Sequence, residues 1–337
     1  MSRPSRTMVL LDVGSTNSRA WLLRDGRIVS SRALPAGVRN SATDGHTGAV
    51  RTAVAELVRD LAPADGEFGI AAAGMITSDH GLQEVPHVVA PASALDLARA
   101  AVDFAAPDIA SVPLVLVPGV RTLGSGKDLR DDVMRGEETL AIGLVESGMM
   151  GPADLLLNAG SHWKLIALDA QGRVAWSRTS FGGEVVHAVQ SATLLAASLP
   201  PGPLAAVVPD WLDAGADAAA RDGVLRALFA VRLLDQRSGS TPEQRFAWMA
   251  GACIGDDVRA LARAGMLRPG VRVLVSGPGG IPGSWAHLLR REGCEAVVLP
   301  TDATERGFVT GLCRIMSLRD AGKRGRSTSG QVAEPEV

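Results

Sequence analysis

LLDVGSTNSRAWLL, residues 10–23, decides how the rest of the chain is read. Two leucines end in Asp12, a run of Gly14, Ser15, Thr16 and Asn17 follows, and Ala20 to Leu23 restores an apolar segment, which is the pattern of strand, turn and strand. Asp25-Gly26 is a two-residue turn signal, and residues 27–34 alternate loosely, so a third antiparallel strand follows the hairpin. The turn has its own chemistry. Gly14 lets the backbone approach an anion, and Ser15, Thr16 and Asn17 bring short donors and free N–H groups suited to phosphate oxygens. Asp12 cannot touch phosphate directly because like charges repel, but it is placed to hold a hydrated Mg²⁺ that bridges phosphate oxygens. A Gly/Ser/Asn turn is also an ordinary hairpin, so the reading needs a second signal.

That signal is NAGSHWKL, residues 158–165, between the first two of three more strand candidates at 155–158, 165–168 and 174–177. Gly160 and Ser161 repeat the small and hydroxylic chemistry, and His162 or Lys164 adds positive charge suited to a transferring phosphoryl group. A third segment, VRVLVSGPGG at 271–280, is an apolar strand running into glycines before a helix near Pro282. There Gly277, Gly279 and Gly280 leave room for a planar base or ribose, with Ser276 as a polar contact.

Between these segments the first half reads as helix at 49–61, strand at 68–73, helix at 95–104 and strand at 113–117. The second half continues with helices and short strands at 271–276 and 296–299. Each half opens with a β-meander and continues with α/β alternation, which suggests a duplicated domain. Two phosphate hairpins in matching positions point to an α/β, two-lobed actin-like (ribonuclease H-like) ATPase fold with a duplicated mixed-sheet domain. The expected division is 1–134 for the first lobe, 135–320 for the second, and a disordered tail at 321–337, because 323–337 is nearly free of large apolar groups.

The chain is long enough for two cores at 337 residues, and 46% hydrophobic with 21% charged residues is the composition of a filled globular interior. A net charge of −2 gives no field for nucleic acid or anionic membranes, so anion binding falls to loops and helix ends. The three cysteines, Cys253, Cys294 and Cys313, form no CxxC pair and read as thiols of a reducing compartment. No apolar run reaches the length of a membrane span, and the cytoplasm is the expected location.

Met134-Arg135-Gly136-Glu137-Glu138-Thr139 opens a helix, with Ala141, Leu144 and Val145 on one stripe. In this fold class the helix at that place carries the carboxylate that takes the proton from the attacking hydroxyl. Glu137 is the first choice. Adjacent helical residues point about 100° apart, so Glu137 and Glu138 cannot both face the same site, and the sequence alone does not order them.

Taken in order, LLDVGSTNSRAWLL, GMITSDHGLQEVPHVVAPAS, VPGV, DVMRGEET, NAGSHWKL and FGGE resemble the 2-dehydro-3-deoxygalactonokinase family of sugar-acid kinases over about residues 8–318. The resemblance implies ATP and Mg²⁺ as cofactors and transfer of the γ-phosphoryl group to the 6-hydroxyl of 2-dehydro-3-deoxy-D-galactonate in galactonate catabolism. Together with the chemistry of a polyhydroxy carboxylate it points to Arg39, Met75, Ser78, Arg135 and Glu184 on the sugar side. The chain departs from the family pattern at Val13, in the 158–165 hairpin, and at Gly182, where a hydroxyl is lost. These departures keep open a kinase of another sugar acid or amino sugar, or a non-catalytic sensor. A small-molecule substrate is expected, with no nucleic acid and no membrane partner, and a homodimer is left open.

Overall fold

A computed structural model of the chain describes residues 7–39, 47–64, 67–124, 131–202, 207–237 and 239–329, with side chains up to 324. The chain divides into two compact units, Met1–Gly151 with Asp169–Trp176 and Glu305–Val337, and Pro152–Leu168 with Ser177–Thr304.

The first unit is built on β1 (Thr7–Val13), β2 (Ser18–Arg24) and β3 (Arg27–Leu34), the meander read from the sequence. Helix α1 (Gly48–Leu61) returns the chain to β4 (Phe68–Gly74), which pairs parallel with β1, so Asp12 lies opposite Ala73 and Val13 opposite Gly74. Further along come β5 (Val88–Val89), α2 (Ala94–Ala100), β6 (Val102–Phe104), β7 (Leu114–Leu116), β8 (Val120–Thr122), β9 (Asp132–Met134) and α3 (Glu137–Glu146). The main sheet has the order β3-β2-β1-β4-β7-β6, and β5-β8-β9 forms a small separate sheet. Val50, Val54, Leu57 and Leu61 recur at helical spacing on α1 and pack on Val9, Leu11, Val13, Leu22 and Ile70 of the sheet.

The second unit repeats the opening with β10 (Leu155–Ala159), β11 (Trp163–Leu168) and β12 (Val174–Ser180). After it come α4 (Gly182–Ala192), α5 (Pro209–Asp222), α6 (Val224–Arg237), α7 (Pro242–Arg263), β13 (Arg272–Ser276), α8 (Ile281–Arg291) and β14 (Glu295–Val298). The sheet order is β12-β11-β10-β13-β14, with β10 antiparallel to β11 and parallel to β13. The last helix, α9 (Thr301–Ser329), starts in the second unit and continues into the first. Among the described residues no helix is long and apolar enough to cross a membrane.

Four expectations change. Residues 95–104 are not one helix: α2 stops at Ala101, whose ψ of 137° is extended, and Val102 to Phe104 pair antiparallel with Leu116 to Leu114. Met134 closes a strand, and α3 begins only after Gly136, whose φ of 107° few other residues adopt. A single cut after residue 134 is replaced by several crossings, since 135–151, 169–176 and the chain from 305 onward belong to the first unit. The 321–337 tail is helical up to Ser329, while its residues 330–337 lie outside those described.

Candidate active site

In the first unit three backbone ends converge on Asp12. Its strand neighbour β4 ends at Gly74, with φ 92°, where a Cβ would lie 2.5 Å from the Val13 carbonyl oxygen and 3.2 Å from Asp12 Oδ1. A Cβ on Gly136 would lie 3.3 Å from Gly74 Cα and 3.8 Å from Asp12 Oδ1. The start of α3 is thus held against the end of β1. Burial raises the Asp12 pKa from 3.8 to about 6; Arg19, its cross-strand partner, opposes the shift, and Glu137 and Glu305 reinforce it.

The two acids of α3 separate clearly. Glu138 is fully buried, both its oxygens accept the Gly136 N–H at 2.9 Å, and the Thr139 hydroxyl donates to it at 3.2 Å. It holds the helix start. Glu137 is only partly buried, accepts the Arg135 N–H at 3.1 Å, and stands close enough to Asp12 for their charges to interact.

The turn after Asp12 is closed by Gly14 N–H donating to the Asn17 carbonyl at 2.8 Å, and Asn17 Nδ2 donates to Thr16 Oγ1 at 3.1 Å. Residues 36–39 brace it from behind. Val38 and Arg39 N–H groups donate to the Gly14 and Ser15 carbonyls at 3.2 and 2.8 Å, and Ser18 Oγ donates to the Ala36 carbonyl at 2.7 Å. The structure therefore brings Gly14, Ser15 and Arg39 together.

Other sugar-side candidates are engaged locally. Arg135 donates to Thr77 Oγ1 at 2.8 Å and to the Val85 carbonyl at 3.0 Å, and its other nitrogen lies 3.4 Å from His87 Nδ1. These contacts give Arg135 a bracing part that the sequence reading did not foresee. Ser78 is buried with its hydroxyl on the Met75 carbonyl at 2.8 Å, and Met75 packs against the core.

In the second unit Asn158 and Lys164 are cross-strand partners at the mouth of the second hairpin, and Lys164 is buried. Ser276 is fully buried and donates to Asn158 Oδ1 at 3.1 Å, so its hydroxyl steadies the hairpin instead of standing open beside the glycine loop. Gly277, with φ 143°, packs so that a Cβ would lie 2.6 Å from the Ala159 carbonyl oxygen. Gly279 has φ 64°, and Gly280 is the N-cap of α8. On the opposite side of the hairpin a Cβ on Gly183 would lie 2.5 Å from the Gly160 carbonyl oxygen and still closer to that of Ser161. Glu184 follows in the first turn of α4, and the His162 ring lies 5.5 Å from that of Phe181. Gly160, Ser161, His162, Gly277 and the start of α4 are thus one neighbourhood. Gly74, Gly136, Gly183 and Gly277 carry these close approaches, and nothing in their local sequence separates them from the chain's other glycines.

Among the described residues no group of three or more His, Cys, Asp or Glu side chains could hold a metal ion. That donor set fits Mg²⁺ nonetheless, which takes one or two carboxylates and completes its shell with water and phosphate oxygens. Asp12, at the end of β1, is one such carboxylate.

A family model described as 2-keto-3-deoxy-galactonokinase matches residues 12–315. The chain is 29% identical over 256 residues to the 2-dehydro-3-deoxygalactonokinase of Escherichia coli (strain K12), covering 75% of this chain and 80% of that one. A solved structure from Sinorhizobium meliloti, provisionally named a 2-dehydro-3-deoxygalactonokinase, is similar with a TM-score of 0.73 and 22% identity, covering 91% of this chain and 98% of that one. Component A of the (R)-2-hydroxyglutaryl-CoA dehydratase of Acidaminococcus fermentans is similar with a TM-score of 0.54 and 14% identity, over 94% of this chain and 100% of that one.

Proposed function

The chain belongs to the 2-keto-3-deoxy-galactonokinase family of sugar-acid kinases, and from that premise we propose that it transfers the γ-phosphoryl group of ATP to the 6-hydroxyl of 2-dehydro-3-deoxy-D-galactonate. The observation that carries the reading is Glu137: it stands at the start of α3 beside Asp12, while Glu138 is withdrawn into the helix end.

Glu137 orients the substrate's primary hydroxyl and takes its proton as the new O–P bond forms and the bond to the ADP oxygen breaks. Arg39 faces the substrate carboxylate, with Met75 and Ser78 shaping the sugar side through their backbone and Glu184 as a further contact. Lys164 and the N–H groups around Gly160 and Ser161 offset negative charge on the phosphoryl oxygens. The loop from Ser276 to Gly280 takes the adenosine, its glycines keeping the backbone low. Asp12 would hold Mg²⁺, which when bound neutralises phosphate charge.

The test is a coupled ADP-release assay across a panel of sugar acids with the wild type and Glu137→Gln. The expected result is turnover with 2-dehydro-3-deoxy-D-galactonate, a loss on the order of 10² to 10⁴ in kcat for the variant, and little change in ADP affinity. Full turnover by Glu137→Gln removes it from the mechanism. ADP release with a different sugar acid keeps the kinase and replaces the substrate. A ligand-raised melting temperature with ADP release at background marks a non-catalytic sensor.

A further inference from the structure

The main sheet of the first unit has two faces. Leu11, Val13, Ala20 and Leu22 pack toward α1, so Asp12, its cross-strand partner Arg19 and the next partner Ala33 lie on the other. Trp21 follows Arg19 on that second face and meets Phe308 of α9, with ring centroids 5.7 Å apart. Glu305 comes three residues before Phe308, hence on the same side of α9 one turn earlier, toward Arg19. A cleft of about 110 Å³ shows the same placement: β2 and β3 line it with Arg19, Trp21, Ser31, Arg32 and Ala33, and α9 lines it with Glu305.

Arg19 therefore stands before two acids. Asp12 lies across the strand pair, and among the described residues the two interact by charge without a hydrogen bond. Glu305 lies across the cleft, half-buried like Arg19, and its charge also reaches Asp12. Arg32, the other cation of the cleft, is already engaged by Asp60 of α1 at 2.9 Å. A guanidinium that pairs with a carboxylate in the bidentate manner occupies both its oxygens, and those are the oxygens a metal ion needs. Packing fixes where Glu305 stands, since Phe308 on the next turn is buried.

We propose that Glu305 is a positioning residue: it draws the Arg19 guanidinium across the cleft and so keeps the Asp12 carboxylate open to Mg²⁺. The inference rests on the reading of Asp12 as the metal ligand. Glu305 acts through Arg19, and all three residues belong to the first unit.

The test reads Mg²⁺ through the melting temperature of the full chain. Mg²⁺ is titrated at saturating ADP, and the midpoint is the concentration that gives half of the rise in melting temperature. Glu305→Gln, of the same shape without the charge, is expected to raise that midpoint about tenfold, the size of a hydrogen bond to a charged group. Crystals of Glu305→Gln without nucleotide are expected to show Arg19 hydrogen-bonded to Asp12, and crystals of the wild type to show it turned toward Glu305. An unchanged midpoint in Glu305→Gln overturns the proposal whatever its melting temperature without ligand, because a merely structural glutamate lowers that temperature and leaves the midpoint alone. A raised midpoint with Arg19 unmoved overturns it too, since Glu305 then acts on the metal ion without Arg19. ADP binding by the wild type that is indifferent to Mg²⁺ overturns the reading of Asp12 as metal ligand, and this inference with it.

Discussion

Asp12 carries a thermodynamic cost that its proposed role explains. Its pKa is raised from 3.8 to about 6, so between those values the folded state binds more protons than the unfolded one, and stability falls as pH rises through that window. For a dry group the difference is worth about 3 kcal/mol, and solvent reaching this partly exposed side chain reduces it to roughly 1 kcal/mol. Asp12→Asn is therefore expected to melt roughly 2–4 °C higher at pH 7.5, with the gain fading to nothing near pH 4, while turnover is lost. Scanning calorimetry at both pH values checks it, and a variant less stable than wild type at pH 7.5 contradicts it. The identity of Asp12 was readable from its place at a strand end before a glycine turn. The burial of Glu138 against the helix start was not, because it depends on a bond from the Gly136 N–H to that acid, and that bond exists only once Gly136 adopts a positive φ.

The hairpins were legible because their strands alternate over enough residues to show a period, and their turns carry Gly, Ser and Asn. The sheet β5-β8-β9 was not, since strands of two or three residues have no period to read. Nor was the brace behind the first hairpin, where residues distant in local pattern meet by tertiary packing. That brace makes its own prediction. A Cβ on Gly37 would lie 2.5 Å from the Gly14 and Ser15 backbone, which cannot give way as a flexible side chain would. Gly37→Ala is expected to displace the turn proposed to bind phosphate, at about 1–3 kcal/mol of stability, and to lower kcat/KM for ATP on the order of tenfold or more. Gly26 is the matched control: its φ of 76° strains any replacement, yet nothing lies within 4 Å of a Cβ there. Gly26→Ala should cost about 1 kcal/mol and leave kcat/KM for ATP unchanged. Equal kinetic effects in the two variants would dissociate the brace from the turn's function.

The path of the chain makes the first unit discontinuous, and this limits which pieces can stand alone. Residues from 305 onward return to it, bringing Phe308 within 5.7 Å of the Trp21 ring and burying Phe308, Val309, Leu312, Ile315 and Met316. A Cβ on Gly143 would collide with the Gly307 carbonyl and one on Gly311 with the Thr139 carbonyl, so neither tolerates a side chain, which seats α9 directly on α3. At about 1.5–3 kcal/mol for each large buried side chain, this contribution is comparable to the whole stability of an ordinary domain, about 5–15 kcal/mol. A fragment of residues 1–151 keeps the entire β1–β4 hairpin region and the proposed base, and a contiguous reading of the chain would treat it as a complete lobe. Without α9 it leaves Trp21, Leu140 and Leu144 uncovered, and it is expected to show no cooperative thermal transition and to bind the hydrophobic dye ANS. Adding a peptide of residues 301–324 should restore a transition whose midpoint rises with peptide concentration, as mass action requires when the folded form alone binds. Cooperative melting of the 1–151 fragment by itself would mean that the α3–α9 contact is not needed to hold the strand end carrying Asp12 against the helix start carrying Glu137.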